Sequence, residues 1–215
     1  MMFISIVKNI QRNNIYYRFV GRKENICSKL TTLLTYVDAK LWGIYIGKGS
    51  LFIGIPFLCK FPKSSIIIGA RCRMRSSSRQ RAQAGIMRPC TIETLAENSK
   101  IIIGDHCGFS GAMISAAKHI EIGSRSLCGA NVSITDTDWH CVDPKSRNLP
   151  GVALPVKIGS NVWLGMNVIV LKGVTIGDNT VVAAGSIVSR DLPPNVLAVG
   201  QPASPIRDLQ VEMVG

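Results

Sequence analysis

The sequence has no CxxC pair among its seven cysteines, and their number is odd. Both features argue against a disulfide framework or a zinc knuckle and favour reduced, mostly buried thiols in a cytoplasmic protein. A long apolar run is also missing, because the best candidate, Leu41–Leu58, contains Lys48 and four glycines. A membrane-spanning helix is therefore not expected. The first residues also lack the charged start, apolar stretch and cleavage site of a signal peptide.

Acidic residues are scarce in the N-terminal half. Residues 1–90 contain 16 Lys and Arg residues but only two Asp and Glu residues. Residues 91–215 contain nine basic and eleven acidic residues. This imbalance suits an anionic partner, although a merely solvated surface is the alternative. Arg71, Arg73 and Arg75 alternate and would share one face of a strand. Because no aromatic residues interleave with them, we expect no nucleic acid; a lipid-linked, pyrophosphate-bearing sugar or an anionic membrane surface fits better.

The strongest regularity is a six-residue repeat. From Ile158 the chain divides into IGSNVW, LGMNVI, VLKGVT, IGDNTV, VAAGSI and VSRDLP, each starting with an aliphatic residue. The same register begins upstream at Ile122, and a looser one at Ile103. An α-helix or a simple hairpin strand does not have this period, whereas one short strand plus a Gly or Asn turn does. Such units bury their apolar side only by stacking, which predicts a parallel β-helix.

This pattern resembles the hexapeptide-repeat acyltransferases, whose fold is a left-handed parallel β-helix with three repeats per coil. We therefore predict a mainly β protein with an N-terminal α-helical basic segment over 1–45, the β-helix over 46–207 and a tail over 208–215. Residues 28–43 have the spacing of an amphipathic helix. The proline-rich sequence from Leu192 is expected to cap the coil. Cys72, Cys107 and Cys128 occupy core positions of the repeat, which predicts packing rather than metal binding.

One segment breaks the repeat. It reads TDWHCVDPKSRNLPGVALP, over residues 137–155, and it is polar and rich in proline. Loops of this length are uncommon in compact domains and are usually functional. His140 stands near its start, so the interruption predicts a functional loop around this histidine.

The combination of DTDWH, the loop and the repeats as far as QPA is similar to sugar O-acetyltransferases. It looks like the galactoside and maltose acetyltransferases and the enzymes that decorate surface polysaccharides, over about residues 100–207. The resemblance implies acetyl-CoA as donor, a saccharide hydroxyl as acceptor, free or lipid-linked, and no metal. It also implies homotrimers with active sites between neighbouring subunits.

His140 suits the chemistry that this resemblance implies. A sugar hydroxyl is a poor nucleophile at neutral pH, and an imidazole is a suitable general base for it. The family forms no covalent acetyl-enzyme, so Cys141 is not expected to be a nucleophile. Asp136 and Asp138 either orient the imidazole or fix the loop, and the structural role is favoured. Trp139 is expected to pack in the loop or to stack on the acceptor.

The resemblance also places the CoA site. In similar enzymes CoA lies in a groove between subunits, against backbone and small side chains of successive coils, with arginines near its phosphates. The matching positions here are Trp163, Gly165, Met166, Ala183, Ala184, Ser189, Arg190 and Arg207.

The acceptor site departs from the family at one position. Family members often have an asparagine in the coil before the histidine, whereas this sequence reads CGFSGAMIS and offers Ser110. A hydroxyl can donate one hydrogen bond, so Ser110 is the candidate replacement.

The same pattern allows three alternatives to a sugar O-acetyltransferase. The γ-type carbonic anhydrases share the fold but need three metal-binding histidines, and here His106, His119 and His140 lack the close pair of that family. A shared zinc site is therefore not expected. A non-catalytic β-helix scaffold that binds polysaccharide or membrane stays open, as does an acyltransferase with a non-sugar acceptor.

Overall fold

The structure, a computed structural model, describes residues 26–77 and 85–210. It is a left-handed parallel β-helix preceded by an α-helix, so the predicted fold class is confirmed. The described part of the helix, α1, covers residues 26–41. Residues 1–25 of the predicted basic segment and residues 211–215 of the tail lie outside the described residues.

Three sheets form the walls of the β-helix, and successive strands along the chain belong to the first, second and third sheet in turn as far as β18. The first sheet contains β1 (Tyr45–Ile46), β4 (Ser65–Ile68), β7 (Lys100–Ile103), β10 (His119–Ile122), β13 (Val156–Ile158) and β16 (Thr175–Ile176). The second contains β2 (Leu51–Ile53), β5 (Arg73–Arg75), β8 (Gly108–Ser110), β11 (Leu127–Ala130), β14 (Trp163–Leu164), β17 (Val181–Val182), β19 (Val196–Gly200) and β20 (Ala203–Asp208). The third contains β3 (Phe57–Cys59), β6 (Thr91–Thr94), β9 (Met113–Ala116), β12 (Ser133–Thr135), β15 (Ile169–Val170) and β18 (Ile187–Val188).

The aliphatic residues of the repeat point inward, as predicted. Ile103, Ile122, Ile158 and Ile176 pair in register down the first sheet and are about 1% exposed. The glycine that follows each of these residues lets adjacent coils stack closely: a Cβ on Gly123 would lie 2.5 Å from the carbonyl carbon of Gly159. The recurring Ile-Gly pair therefore combines a core side chain with a close backbone contact.

The cysteines assigned to the core are buried. Cys72, Cys107 and Cys128 are at most 4% exposed, and all seven cysteines are unpaired. Burial raises the pKa of the Cys128 and Cys90 thiols. These two groups therefore stay protonated and behave as small apolar side chains.

The two longest connections between strands join β5 to β6 and β12 to β13. The first includes residues 78–84, which lie outside the described residues. The second covers residues 136–155 and contains a short 3-10 helix, η1 (Pro144–Ser146). At the C-terminal end the proline-rich sequence from Leu192 first continues the coil, because β19 pairs in parallel with β17. Only β20, which runs antiparallel to β19, ends the parallel stacking.

Candidate active site

Asp136 anchors the loop to the wall of the β-helix. Its side chain is fully buried, and its carboxylate accepts hydrogen bonds from the backbone N–H groups of Ala117, Lys118 and His119, each at 2.7 Å. These three donors form the turn between β9 and β10, one coil before the loop. A carboxylate that accepts three backbone bonds is a structural clamp, because its lone pairs are already directed at the turn.

Asp138 is held by a different element. Lys172 follows β15, the strand of the third sheet that comes one coil after β12. Its Nζ donates to both carboxylate oxygens of Asp138 at 2.5 Å. Both side chains are about a quarter exposed. The two aspartates thus fix the start of the loop to the coil before it and the coil after it.

The two arms of the loop pair with each other. Thr137 and Ala153 form an antiparallel bridge, and the N–H of Cys141 donates to the carbonyl of Leu149 at 3.0 Å. Gly151 permits this approach, because a Cβ there would lie 2.6 Å from the carbonyl oxygen of His140. The loop is therefore ordered by pairing between its two arms, and His140 lies on the first arm.

The imidazole of His140 has a defined tautomer. Its Nδ1 lies 3.1 Å from the carbonyl oxygen of Arg147. Because a carbonyl oxygen only accepts, Nδ1 must carry the hydrogen, and the neutral ring leaves Nε2 with a free lone pair. A backbone carbonyl thus orients the ring, whereas the sequence left Asp136 and Asp138 as candidates for that role. No local motif identifies Arg147, since the contact depends on how the loop folds back.

His140 and Trp139 face a cavity of about 330 Å³. Its other walls come from the loop and from the preceding corner of the third and first sheets. They are formed by Leu95, Ala96, Ala117, Thr137, Asn148 and Pro150. The volume is at the small end of ligand pockets, and Trp139 is 46% exposed, so an apolar ring face is available beside the imidazole.

The predicted CoA residues occupy three places on one chain. Gly165, Met166, Ala183 and Ala184 form the corner between the second and third sheets, where a Cβ on Gly165 would lie 2.6 Å from the backbone nitrogen of Ala184. Ser189 and Arg190 are exposed at the opposite edge of the third sheet, the edge that carries the His140 loop.

Trp163 and Arg207 lie on the outer face of the second sheet. Residues that pair across neighbouring strands form one row on this face. The row runs from Arg207 to Trp163 by way of Leu197 and Val181. It continues from Trp163 to Arg73 by way of Leu127 and Gly108. Both residues are exposed. One chain alone therefore does not bring all eight predicted CoA residues into one groove.

Ser110 lies in a second cavity, of about 440 Å³, on the second sheet. Arg71, Arg73, Arg75 and Trp163 line it too, and the cavity near His140 contains none of them. Among the described residues, no carboxylate forms an ion pair with these arginines. Sequence spacing predicted that the arginines share a face, but it did not reveal that Ser110 and Trp163 join them, because three different coils contribute.

The three histidines do not converge. His119 lies on β10 and is 3.8 Å from the carboxylate of Glu121, whereas His106 lines the cavity of the second sheet. Over residues 26–77 and 85–210, no group of three His, Cys, Asp or Glu side chains is arranged to hold a metal ion.

Comparison with known proteins agrees with the repeat. Residues 155–190 match the family model of bacterial transferase hexapeptide (six repeats). The chain is 42% identical to the galactoside O-acetyltransferase of Escherichia coli over 90 residues, which cover 42% of this chain and 44% of that protein. It is 48% identical to the galactoside O-acetyltransferase of Lactococcus lactis over 84 residues, 39% of this chain and 40% of that protein. The resemblance to the hexapeptide-repeat acyltransferases is thereby confirmed, although the matches span less than half of either relative.

A solved structure supports the fold over a longer range. A variant of AntD, an N-acyltransferase from Bacillus cereus in complex with dTDP-4-amino-4,6-dideoxyglucose and coenzyme A, superimposes with a TM-score of 0.64. The similarity covers 83% of this chain and 91% of that one at 18% sequence identity. At that identity the likeness concerns the β-helix and not the ligands.

Proposed function

We propose that the protein is an acetyl-CoA-dependent O-acetyltransferase that acts on a saccharide hydroxyl, with His140 as general base. The observation that carries the proposal is the hydrogen bond from Nδ1 to the Arg147 carbonyl, which leaves a basic Nε2 beside an open cavity. The aligned galactoside O-acetyltransferases support a sugar as the acceptor. Decoration of a surface polysaccharide, or of its precursor, is the role that we extend to this chain.

The proposed reaction is a direct transfer. Nε2 takes the proton of the sugar hydroxyl while the sugar oxygen attacks the thioester carbonyl carbon of acetyl-CoA. The tetrahedral intermediate collapses, the carbon–sulfur bond breaks, and the CoA sulfur receives the proton from the imidazolium. Cys141 forms no acyl intermediate in this scheme. Trp139 is well placed to stack on the apolar face of a sugar ring.

The donor site is proposed to lie between subunits of a homotrimer. Gly165, Ala183 and Ala184 provide a corner without bulky side chains, which suits a pantetheine arm, with Met166 and Trp163 on its borders. Ser189, Arg190 and Arg207 would contact the phosphate end of CoA. Because these residues do not share one groove of a single chain, and His140 lies at another edge of it, the proposal assigns the rest of the site to a neighbouring copy.

The arginine cavity supports an acceptor that carries a phosphate or pyrophosphate group. Arg73 and Arg207 lie on the same row of the second sheet, six strand spacings or roughly 29 Å apart. If acetyl-CoA is held near Arg207 and Trp163, the part of the row near Arg73 is left for the acceptor. Ser110 lies between Trp163 and the arginines. The guanidinium groups of this cavity, for which the described part of the chain offers no carboxylate partner, suit the pyrophosphate of a nucleotide-linked or lipid-linked sugar.

Arg73→Ala/Arg75→Ala is expected to raise the KM for a pyrophosphate-linked sugar by about tenfold or more, because charge-assisted contacts are lost. The KM for acetyl-CoA and for a neutral sugar should stay unchanged. Lys100→Ala/Lys157→Ala removes the same charge from the outer face of the first sheet and is the matched control. Equal losses with neutral and phosphorylated acceptors would contradict this assignment.

The compartment is proposed to be the cytoplasm. The seven unpaired cysteines fit a reducing environment, and acetyl-CoA is an intracellular co-substrate. Within the described residues no helix has the length and apolarity that crossing a bilayer would require.

Release of CoA thiol from acetyl-CoA tests the function. Wild-type protein should release thiol only when an acceptor is added, and a panel of free, nucleotide-linked and lipid-linked saccharides would identify the acceptor class. Release with amine or other non-sugar acceptors alone would replace the saccharide proposal. Absence of both turnover and acetyl-CoA binding would favour the non-catalytic scaffold.

A further inference from the structure

The N-terminal helix α1 turns its apolar side away from the β-helix. Six aliphatic side chains of α1 are between 45% and 82% exposed; they are Ile26, Leu30, Leu33, Leu34, Val37 and Leu41. At 100° per residue they form one stripe along the helix. The sequence spacing predicted an amphipathic helix, but the usual arrangement is for such a stripe to face the core.

The opposite, polar side of α1 makes the contact with the β-helix. Thr31 Oγ1 donates to the carbonyl of Phe52 at 2.6 Å, and the N–H of Phe52 donates to Thr32 Oγ1 at 2.9 Å. The hydroxyl of Tyr36 donates to the carbonyl of Gly47 at 2.8 Å, and its ring meets the ring of Phe52 edge-on. Thr35 is 1% exposed. The helix cannot rotate its apolar stripe inward without losing these bonds, so the outward orientation is built into the end of the coil.

Basic and aromatic residues border the stripe. Lys29 and Lys40 are exposed and lie on one edge of it, whereas Asp38 lies on the other. Trp42 and Tyr45 follow the helix and are 42% and 64% exposed. Aliphatic side chains flanked by lysines and amphipathic aromatic rings are the features of a helix that lies in a membrane interface.

The structure points to the headgroup region of an anionic lipid bilayer as the partner of this stripe, and we propose that α1 docks the protein on such a surface. Charge decides between this partner and a second copy of the chain. The exposed Lys29 and Lys40 beside the stripe, within a segment, residues 1–90, whose sequence has 16 basic and two acidic residues, attract anionic lipid, whereas two copies that meet through α1 would bring like charges together. The inference is independent of the proposed enzymatic activity.

Vesicle co-sedimentation of the full chain tests this inference. Wild-type protein should bind phosphatidylcholine vesicles containing about 30% phosphatidylglycerol, with binding that weakens in salt, and should not bind phosphatidylcholine alone. Leu33→Ser/Val37→Ser should lower the partition coefficient about tenfold or more, because apolar area is no longer buried in the interface. Both side chains are more than half exposed, so the fold and the thermal midpoint should be retained.

Two matched variants separate α1 from other surfaces. Ile55→Ser/Phe57→Ser removes two equally exposed apolar groups elsewhere, and Arg73→Ala/Arg75→Ala removes charge from the second sheet; both should keep vesicle binding. Absence of wild-type binding to anionic vesicles would overturn the inference, as would unchanged binding of Leu33→Ser/Val37→Ser. If that variant instead lowered the oligomeric mass in solution and left vesicle binding intact, the stripe would be a contact between copies of the chain.

Discussion

His140→Ala is expected to lower kcat for acetyl transfer by about 10²–10⁴-fold, because the sugar hydroxyl loses its general base. The side chain is exposed and its one described hydrogen bond is to the Arg147 carbonyl, so the fold and acetyl-CoA affinity should be retained. Acceptor-dependent thiol release, measured together with acetyl-CoA binding, checks both expectations. Since the effect is on the chemical step, kcat should change much more than the KM for the donor.

Cys141→Ala and His119→Ala are the controls for this result. Cys141 is next to the base and tests whether a thiol takes part, whereas His119 is a histidine of the first sheet, away from the cavity. Both variants should keep wild-type kcat. A large loss in Cys141→Ala would require an acyl-enzyme and would exclude direct transfer, while equal turnover of His140→Ala and wild type would remove the proposed base.

Asp136→Ala is expected to lower the free energy of unfolding by about 3 kcal/mol or more, because three backbone donors lose a charged partner in a buried site. Urea unfolding measures this change. Activity should fall as well, since the clamp holds the start of the loop that presents His140. Asp136→Asn preserves the size of the side chain but replaces one acceptor oxygen with a donor, so an intermediate loss is expected.

Asp143→Ala is the matched control in the same loop. Asp143 accepts one bond, at 3.0 Å, from the N–H of Lys145 at the start of η1, and it is exposed. Its loss should cost about 1 kcal/mol or less. If Asp136→Ala were no more destabilising than Asp143→Ala, water would be replacing the carboxylate and the loop would not depend on this clamp.

The β-helix could be predicted because its information is local. Each repeat carries its own inward aliphatic residue and its own turn residue, such as Ile122 followed by Gly123. Every coil has the same pattern of core and turn residues as the coil before it. The interruption at 137–155 was visible for the same reason, as a gap in a regular pattern. The prediction of His140 as the base followed from its place in that gap and from the hydroxyl acceptor that the resemblance to sugar O-acetyltransferases implies.

The roles of individual side chains depended on contacts between distant parts of the chain. Asp136 binds a turn 17 to 19 residues before it, and Asp138 binds Lys172, so neither spacing nor residue type could separate a clamp from a partner of the imidazole. Likewise, the tautomer of His140 depends on the carbonyl of Arg147, a group that every residue possesses and that carries no sequence signal.

Periodicity along this chain was sufficient to predict the repeat, the β-helix, the interruption at 137–155 and an amphipathic α1, because all four are properties of neighbouring residues. The direction in which α1 presents its apolar stripe required the three-dimensional structure, since it follows from hydrogen bonds of Thr31 and Thr32 to Phe52, some twenty residues away. The cavity that joins Ser110 to the arginines also required it, because stacking brings side chains from separate coils side by side. Sequence order does not encode those neighbours directly; the packing of one coil on the next creates them.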